Sequence, residues 1–159
     1  MDTTYVGIGE YTASKTSHIK TMALGSCVAV ILQDLKNRTA GLLHVALPDS
    51  SINPKRAEAK PGMFVDTGIP KLLEEMKQLG YTEQRGFIVK LAGGASMIDP
   101  KRIFNIGQRN ILAVRESLQR YHLGVGAEDV GGAISRTVTV DVVTGKVWIS
   151  SPGRGEWEL

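Results

Sequence analysis

Two apolar runs joined by a short polar link constrain this chain more than any other feature. Cys27-Val28-Ala29-Val30-Ile31-Leu32 is apolar and rich in β-branched residues, and Ala40 to Leu47 is a second run of the same kind. Between them, Asp34-Leu35-Lys36-Asn37-Arg38 has turn composition, and Pro48-Asp49-Ser50-Ser51 stops the second run. The pattern predicts a buried hairpin whose first strand spans Ser26 to Asp34. Such a hairpin needs further layers to cover it. A chain of 159 residues, 42% apolar and 22% charged, can supply them within one domain of ordinary globular composition.

The rest of the sequence supplies those layers. Ser50 to Gly62, with Pro54, Pro61 and mixed charges, reads as a mobile surface loop. Asp66 or Thr67 is the expected cap of an amphipathic helix carrying Leu72, Leu73, Met76 and Leu79 and stopped by Gly80. Gly86 to Leu91 reads as a strand running into Ala92-Gly93-Gly94-Ala95-Ser96. A second helix is expected from about Gln108 to His122, with Ile111, Leu112, Val114, Leu118 and Tyr121 on its apolar side and Gly124 as its end. Val138, Val140 and Val142 alternate along a further strand, which Thr144-Gly145 turns into Lys146 to Ser150. Residues 1–20 read as polar, with one short apolar piece at Tyr5 to Ile8, and Gly7-Ile8-Gly9 lacks the third glycine of a dinucleotide fingerprint. The Gly-Gly-Ala pairs at 93–95 and 131–133 hint at a repeated strand-edge device. The expected class is α+β, a single domain over 1–159 with a largely antiparallel sheet or sandwich and helices outside.

Charge and cysteine usage narrow the function classes. The net charge of +3 is spread thinly, and its densest pairs, Lys55-Arg56 and Lys101-Arg102, stand beside prolines with no interleaved aromatics, so nucleic acid is not an expected partner. One cysteine excludes an internal disulfide. No run resembles a signal peptide or approaches the ~20 apolar residues of a membrane helix, so a cytoplasmic protein without membrane insertion is expected. His18 and His122 have no metal-ligand spacing, and neither a metal nor a cofactor is expected.

Cys27 and His44 are the residues out of keeping with a plain core. A lone cysteine in an apolar strand usually behaves as a small hydrophobe. Cys27, however, stands at the strand entry after Leu24-Gly25-Ser26, where little side chain blocks access and backbone N–H groups can face an oxyanion. His44 interrupts Leu42-Leu43 and Val45-Ala46-Leu47, and a polar ring in that setting needs a partner. If the turn is centred between Lys36 and Asn37, His44 faces Ala29 and Cys27 is its diagonal neighbour on the same face; a shift of one residue would separate the two. An imidazole beside a thiol can take its proton and later return it to a departing amine. Thr21, Asp34 and Asp49 are the candidates for orienting the ring.

Gly25-Ser26-Cys27-Val28, His44-Val45-Ala46-Leu47-Pro48 and Lys90-Leu91-Ala92-Gly93-Gly94-Ala95, followed by Ile106-Gly107-Gln108-Arg109-Asn110, Asp129-Val130-Gly131-Gly132, Arg136 and Thr144-Gly145, form an ordered set. With it the chain resembles the chemoreceptor glutamine deamidases, CheD. The resemblance implies a Cys27–His44 pair assisted by Thr21, and a fold like the deamidase domains of cytotoxic necrotizing toxins, a β-sandwich flanked by helices. It implies deamidation of glutamines on methyl-accepting chemotaxis receptors through a Cys–His thioester, and binding to a CheC-type phosphatase. Ala92 and Phe64 depart from the family, which commonly has an aromatic residue and a tyrosine there, and both are expected to bear on surface contacts. A monomer is expected. An adaptor role without thiol chemistry, through an apolar surface around Ile103-Phe104, is the alternative. A redox-responsive cysteine ranks last because the chain has no resolving thiol. Receptor methylesterase activity is chemically adjacent.

Overall fold

The computed structural model describes residues 2–80, 86–96 and 105–159. Lys101-Arg102 and Ile103-Phe104 lie outside the described residues. Among the described residues, ten strands and three α-helices follow one another as β1 (Thr3–Tyr5), β2 (Tyr11–Ser14), β3 (His18–Leu24), β4 (Val28–Asp34), β5 (Thr39–Val45), α1 (Pro54–Ala59), α2 (Val65–Gln78), β6 (Ile88–Gly93), α3 (Ile106–Arg120), β7 (Val125–Val130), β8 (Arg136–Val140), β9 (Val147–Ser151) and β10 (Gly155–Glu158). They form two five-stranded sheets, ordered β1-β3-β8-β9-β10 and β2-β5-β4-β6-β7. Each is mixed, with one parallel pair, β1 with β3 and β6 with β7. The class is α+β, as the sequence led us to expect. No described helix is long and apolar enough to cross a membrane.

The central hairpin is sandwiched between two cores. Val28, Val30, Leu32, Leu43 and Val45 pack on α2 and α3 through Ile69, Leu72, Met76, Val114 and Leu118. Ala29, Ile31, Ala40 and Leu42 face the other sheet through Ile19, Leu24, Val138, Val140, Val147 and Ile149. Every residue of β4 and β5 is therefore buried, which is why neither run alternates in sequence. Strands β8 and β9 have solvent on one side and do alternate. The register pairs Ala29 with His44, the arrangement that keeps Cys27 on the histidine's face.

Several expectations are corrected. Residues 50–62 are ordered secondary structure rather than a mobile loop. Asp49 accepts from the Ser51 N–H, Asn53 caps α1 by accepting from the Arg56 N–H, and Pro54 and Pro61 occupy first-turn positions that need no donor. Helix α2 begins at Val65 without a side-chain cap, because Asp66 accepts from the Ser50 N–H at 2.8 Å and Thr67 donates to the Pro61 carbonyl. Helix α3 begins at Ile106; Leu112 lies on its exposed side, and the left-handed residue after it is His122 (φ 59°) rather than Gly124. The sixth strand runs on to Gly93. Ala92 and Phe64 are fully buried, so they are packing residues and not the surface contacts expected of them. The polar N-terminal segment contributes three strands.

The two Gly-Gly turns are neighbours at the ends of β6 and β7. Gly131 N–H donates to the Gly93 carbonyl at 2.9 Å, and Ser96 N–H to that of Gly132 at 2.9 Å. Gly93 has φ 107°, and a side chain there would collide with the carbonyl oxygen of Cys27. Gly93→Ala is expected to lower stability by at least about 1–3 kcal/mol. The drop would be read as a lower urea midpoint at unchanged slope. Gly126→Ala, where the nearest neighbour of a new Cβ stands at 3.5 Å and φ is ordinary, should be close to neutral.

Candidate active site

His44 projects from β5 into the layer between the sheets, where it is 3% exposed. Across that layer lies β3 of the other sheet, and the Thr21 hydroxyl meets His44 Nδ1 at 2.7 Å. The same hydroxyl donates to the Val6 carbonyl at 2.6 Å. A threonine has one hydroxyl proton, and a carbonyl can only accept. Thr21 must therefore accept from the ring, so the neutral imidazole carries its proton on Nδ1 and a bare lone pair on Nε2. That Nε2 is buried and has no hydrogen-bond partner among the described residues. The backbone on either side of the ring is pinned by the segment before β2: Gly9 N–H donates to the His44 carbonyl at 2.8 Å, and His44 N–H to that of Glu10 at 3.1 Å.

Cys27 immediately precedes β4, is partly exposed, and packs at the margin of the inter-sheet core. Its segment is held by three consecutive carbonyls. Ala95 N–H donates to Gly25 at 2.8 Å and Gly94 N–H to Cys27 at 2.8 Å, while Asn110 Nδ2 donates to Ser26 at 3.0 Å. Asn110, wholly buried on α3, also donates to the Ala46 carbonyl at 3.0 Å. One side chain thus ties the strand entry that carries Cys27 to the strand exit beyond His44. In the sequence, Asn110 stands within Ile106-Gly107-Gln108-Arg109-Asn110, and nothing in the spacing of that motif marks this role. Its position on the buried face of α3, beside Ile111 and Val114, was the available signal: an amide in an apolar layer needs partners.

Thr21 and His44 are in contact, and Cys27 lies on their face, two residues from His44's cross-strand partner. The sulfur does not hydrogen-bond to the ring in this conformation. The rival orienting groups are elsewhere: Asp34 accepts from Asn37, and Asp49 from Ser51. Burial pushes the Cys27 thiol up, with its own backbone N–H pulling the other way. Burial lowers His44 to about 4, with the charge of Glu10 opposing. Both groups are therefore neutral at rest near pH 7. A cleft of about 340 Å³ borders His44 and is otherwise lined by residues 5–8, Glu10, Lys20 and Met22, with neither Cys27 nor Thr21 in its lining. A larger cleft of about 400 Å³, between Pro48-Asp49 and α3, holds none of the three residues.

Such a constellation can carry out nucleophilic acyl chemistry. The family model described as CheD chemotactic sensory transduction matches residues 46–151. The chain is 50% identical over 157 residues, 97% of each chain, to the probable chemoreceptor glutamine deamidase CheD of Syntrophotalea carbinolica. It is 41% identical over 152 residues, 95% of this chain and 93% of the relative, to the chemoreceptor glutamine deamidase CheD of Thermotoga maritima. Similarity at this level along nearly the whole length shows that the chain belongs to the CheD family.

Proposed function

We propose that this chain deamidates glutamine side chains of chemoreceptors, with Cys27 as nucleophile, His44 as general base and acid, and Thr21 as the residue that orients the ring. The observation carrying this reading is the bare Nε2 lone pair, fixed by Thr21 and turned into the layer that Cys27 borders. The relatives' names supply the substrate class. A sandwich of two sheets with this pair between them also supports the likeness to the toxin deamidases, and the substrate implies action in the cytoplasm.

The reaction balances with these groups alone. The Cys27 thiol proton passes to His44 Nε2 as the sulfur attacks the carboxamide carbon, forming the C–S bond and an oxyanion. On collapse the C–N bond breaks, the nitrogen takes the proton from His44, and ammonia leaves a thioester. Water then gives a proton to His44 while its oxygen attacks the thioester carbon. The C–S bond breaks, the sulfur recovers the proton, and glutamate is released. Since burial disfavours both the thiolate and the imidazolium, proton transfer is coupled to attack instead of preceding it. The product adds a negative charge to the receptor, which shifts its signalling balance, and creates a carboxylate that can be methylated. A thiolate also attacks esters, so receptor methylesterase turnover belongs to the same reading.

Incubation with a receptor cytoplasmic fragment should raise the mass of a glutamine peptide by about one dalton. Cys27→Ala should abolish the change, and His44→Asn should lower kcat by about 10²–10⁴-fold. Thr21→Val should fall between them while Thr21→Ser keeps most of the rate. Full activity in Cys27→Ala would end the proposal.

Alkylation of resting Cys27 by iodoacetamide should accelerate with an apparent pKa above 9.0, the thiol's ordinary value. An inflection near neutrality would instead mean a standing ion pair.

His44 binds its proton at about 4 in the folded chain and at 6.5 ordinarily, so between these values the unfolded state holds more protons. The corresponding stability is complete above the upper value and is lost as pH falls towards the lower one, by about 3 kcal/mol in all. Thermal melts from pH 7.5 down to 4.5 should therefore fall more steeply for the wild type than for His44→Asn. Parallel slopes would contradict the buried neutral ring.

A further inference from the structure

The cleft over His44 has an apolar rim. Tyr5, Ile8 and Met22 are 63%, 53% and 57% exposed, and all three border it. The other large apolar residues exposed among the described residues, Leu35, Ile52, Leu112 and Val143, lie away from this cleft. Scattered exposed apolar side chains need no explanation, but three converging on one opening do.

The rim is also built stiffly. Val6 is buried in the inter-sheet core, and its N–H donates to the Lys20 carbonyl at 2.8 Å. Glu10 accepts from the Gly7 N–H at 2.6 Å, and Gly9 is tied to His44. Ile8 therefore stands out from a segment fixed on both sides. Met22 projects from an irregularity in β3, where pairing with β8 shifts between Thr21 and Leu24 and Ala23 adopts φ 55°. A non-glycine residue in that region is strained, and such strain gathers at functional sites. Lys20 and Glu10 line the same cleft with opposite charges, so the opening does not select an ionic partner.

We propose that Tyr5, Ile8 and Met22 form the docking surface for the glutamine-bearing segment of the protein substrate, gripping apolar side chains that flank the target glutamine. This rests on the deamidase reading, because the occupant is identified by the cleft's continuity with His44. A neutral carboxamide enters past Lys20 and Glu10 without charge conflict. Methionine and tyrosine suit a surface that meets more than one glutamine context, the first by flexibility and the second by broad apolar area.

The test measures binding separately from turnover. In a Cys27→Ala background, affinity for a purified chemoreceptor cytoplasmic fragment is titrated with and without Ile8→Asp or Met22→Glu, and with Leu35→Glu as a distant exposed control. Either rim substitution should weaken binding about tenfold or more, and Leu35→Glu should leave it unchanged. With Cys27 intact, the rim variants should raise KM by a similar factor while kcat and the iodoacetamide alkylation rate of Cys27 stay at wild-type values. Unchanged affinity in both rim variants, equal weakening by Leu35→Glu, or no binding by the parent would overturn the surface. Rim-dependent binding by a wild-type protein that leaves receptor mass unchanged would uphold the surface and sink the deamidase reading.

Discussion

Strands β4 and β5 are covered on both faces, by helices on one side and by the second sheet on the other. This fixes their pairing more tightly than a hairpin with one wet face, since a slip of one residue would exchange the contents of two cores at once. Val28, Val30 and Leu32 would move into the space between the sheets, and Ala29 and Ile31 would meet α2 and α3. The two cores differ in the size of what they accept. Between the sheets, Ala29, Ala40 and Ala92 leave room among Ile19, Leu24, Ile31 and Leu42, whereas β4 and β5 turn Val28, Val30, Leu32, Leu43 and Val45 toward the helices. The placement of His44 opposite Ala29 follows from this, and so does the position of Cys27 on the same face.

Into that small-residue layer the fold admits a polar ring and a hydroxyl. The Thr21–His44 contact is a hydrogen bond that joins the two sheets at the site, donated by the ring because the Thr21 hydroxyl proton is committed to the Val6 carbonyl. A buried acceptor without a partner, such as His44 Nε2, is destabilising in a resting protein. Its retention is intelligible if a proton arrives there during turnover. Asn110 Oδ1 is a second buried atom without a partner among the described residues, and it belongs to the side chain that holds the segments carrying Cys27 and His44. Gln33 Oε1, near the far end of β4, is the third such atom among the described residues, so two of the three border the candidate site.

Much of the fold was legible in the sequence, and what escaped has a common physical origin. The hairpin, both long helices and the alternating β8–β9 pair were all signalled by apolar patterning, whereas two registers of the hairpin fitted the sequence and the pairing of Ala29 with His44 decides between them. Of the strands that gave no signal, β1, β2, β7 and β10 are the four sheet edges. Edge strands bury little, so burial leaves little periodicity in them; β1 is exposed along its whole length. Strand β3 lies inside its sheet but carries polar residues where the site requires them. Residues 50–62 misled through their prolines, which here start turns rather than loosen the chain. At the site, Cys27 and His44 stood out because each breaks an apolar pattern. Among Thr21, Asp34 and Asp49 only contact across the sheets decides, and separation along the chain carries no record of it.

Asn110 has a mechanical implication. Its amide reaches from α3 to the carbonyls of Ser26 and Ala46, so the helix holds the entry of one central strand and the exit of its neighbour with a single grip. A rotation of α3 about its axis would pull on both attachment points together and alter the spacing between sulfur and imidazole, without touching either. The outward side of this helix, near Arg109, Leu112 and Glu116, borders the larger cleft. That cleft and the one bordered by His44 lie on opposite sides of the sheet that carries β4 and β5.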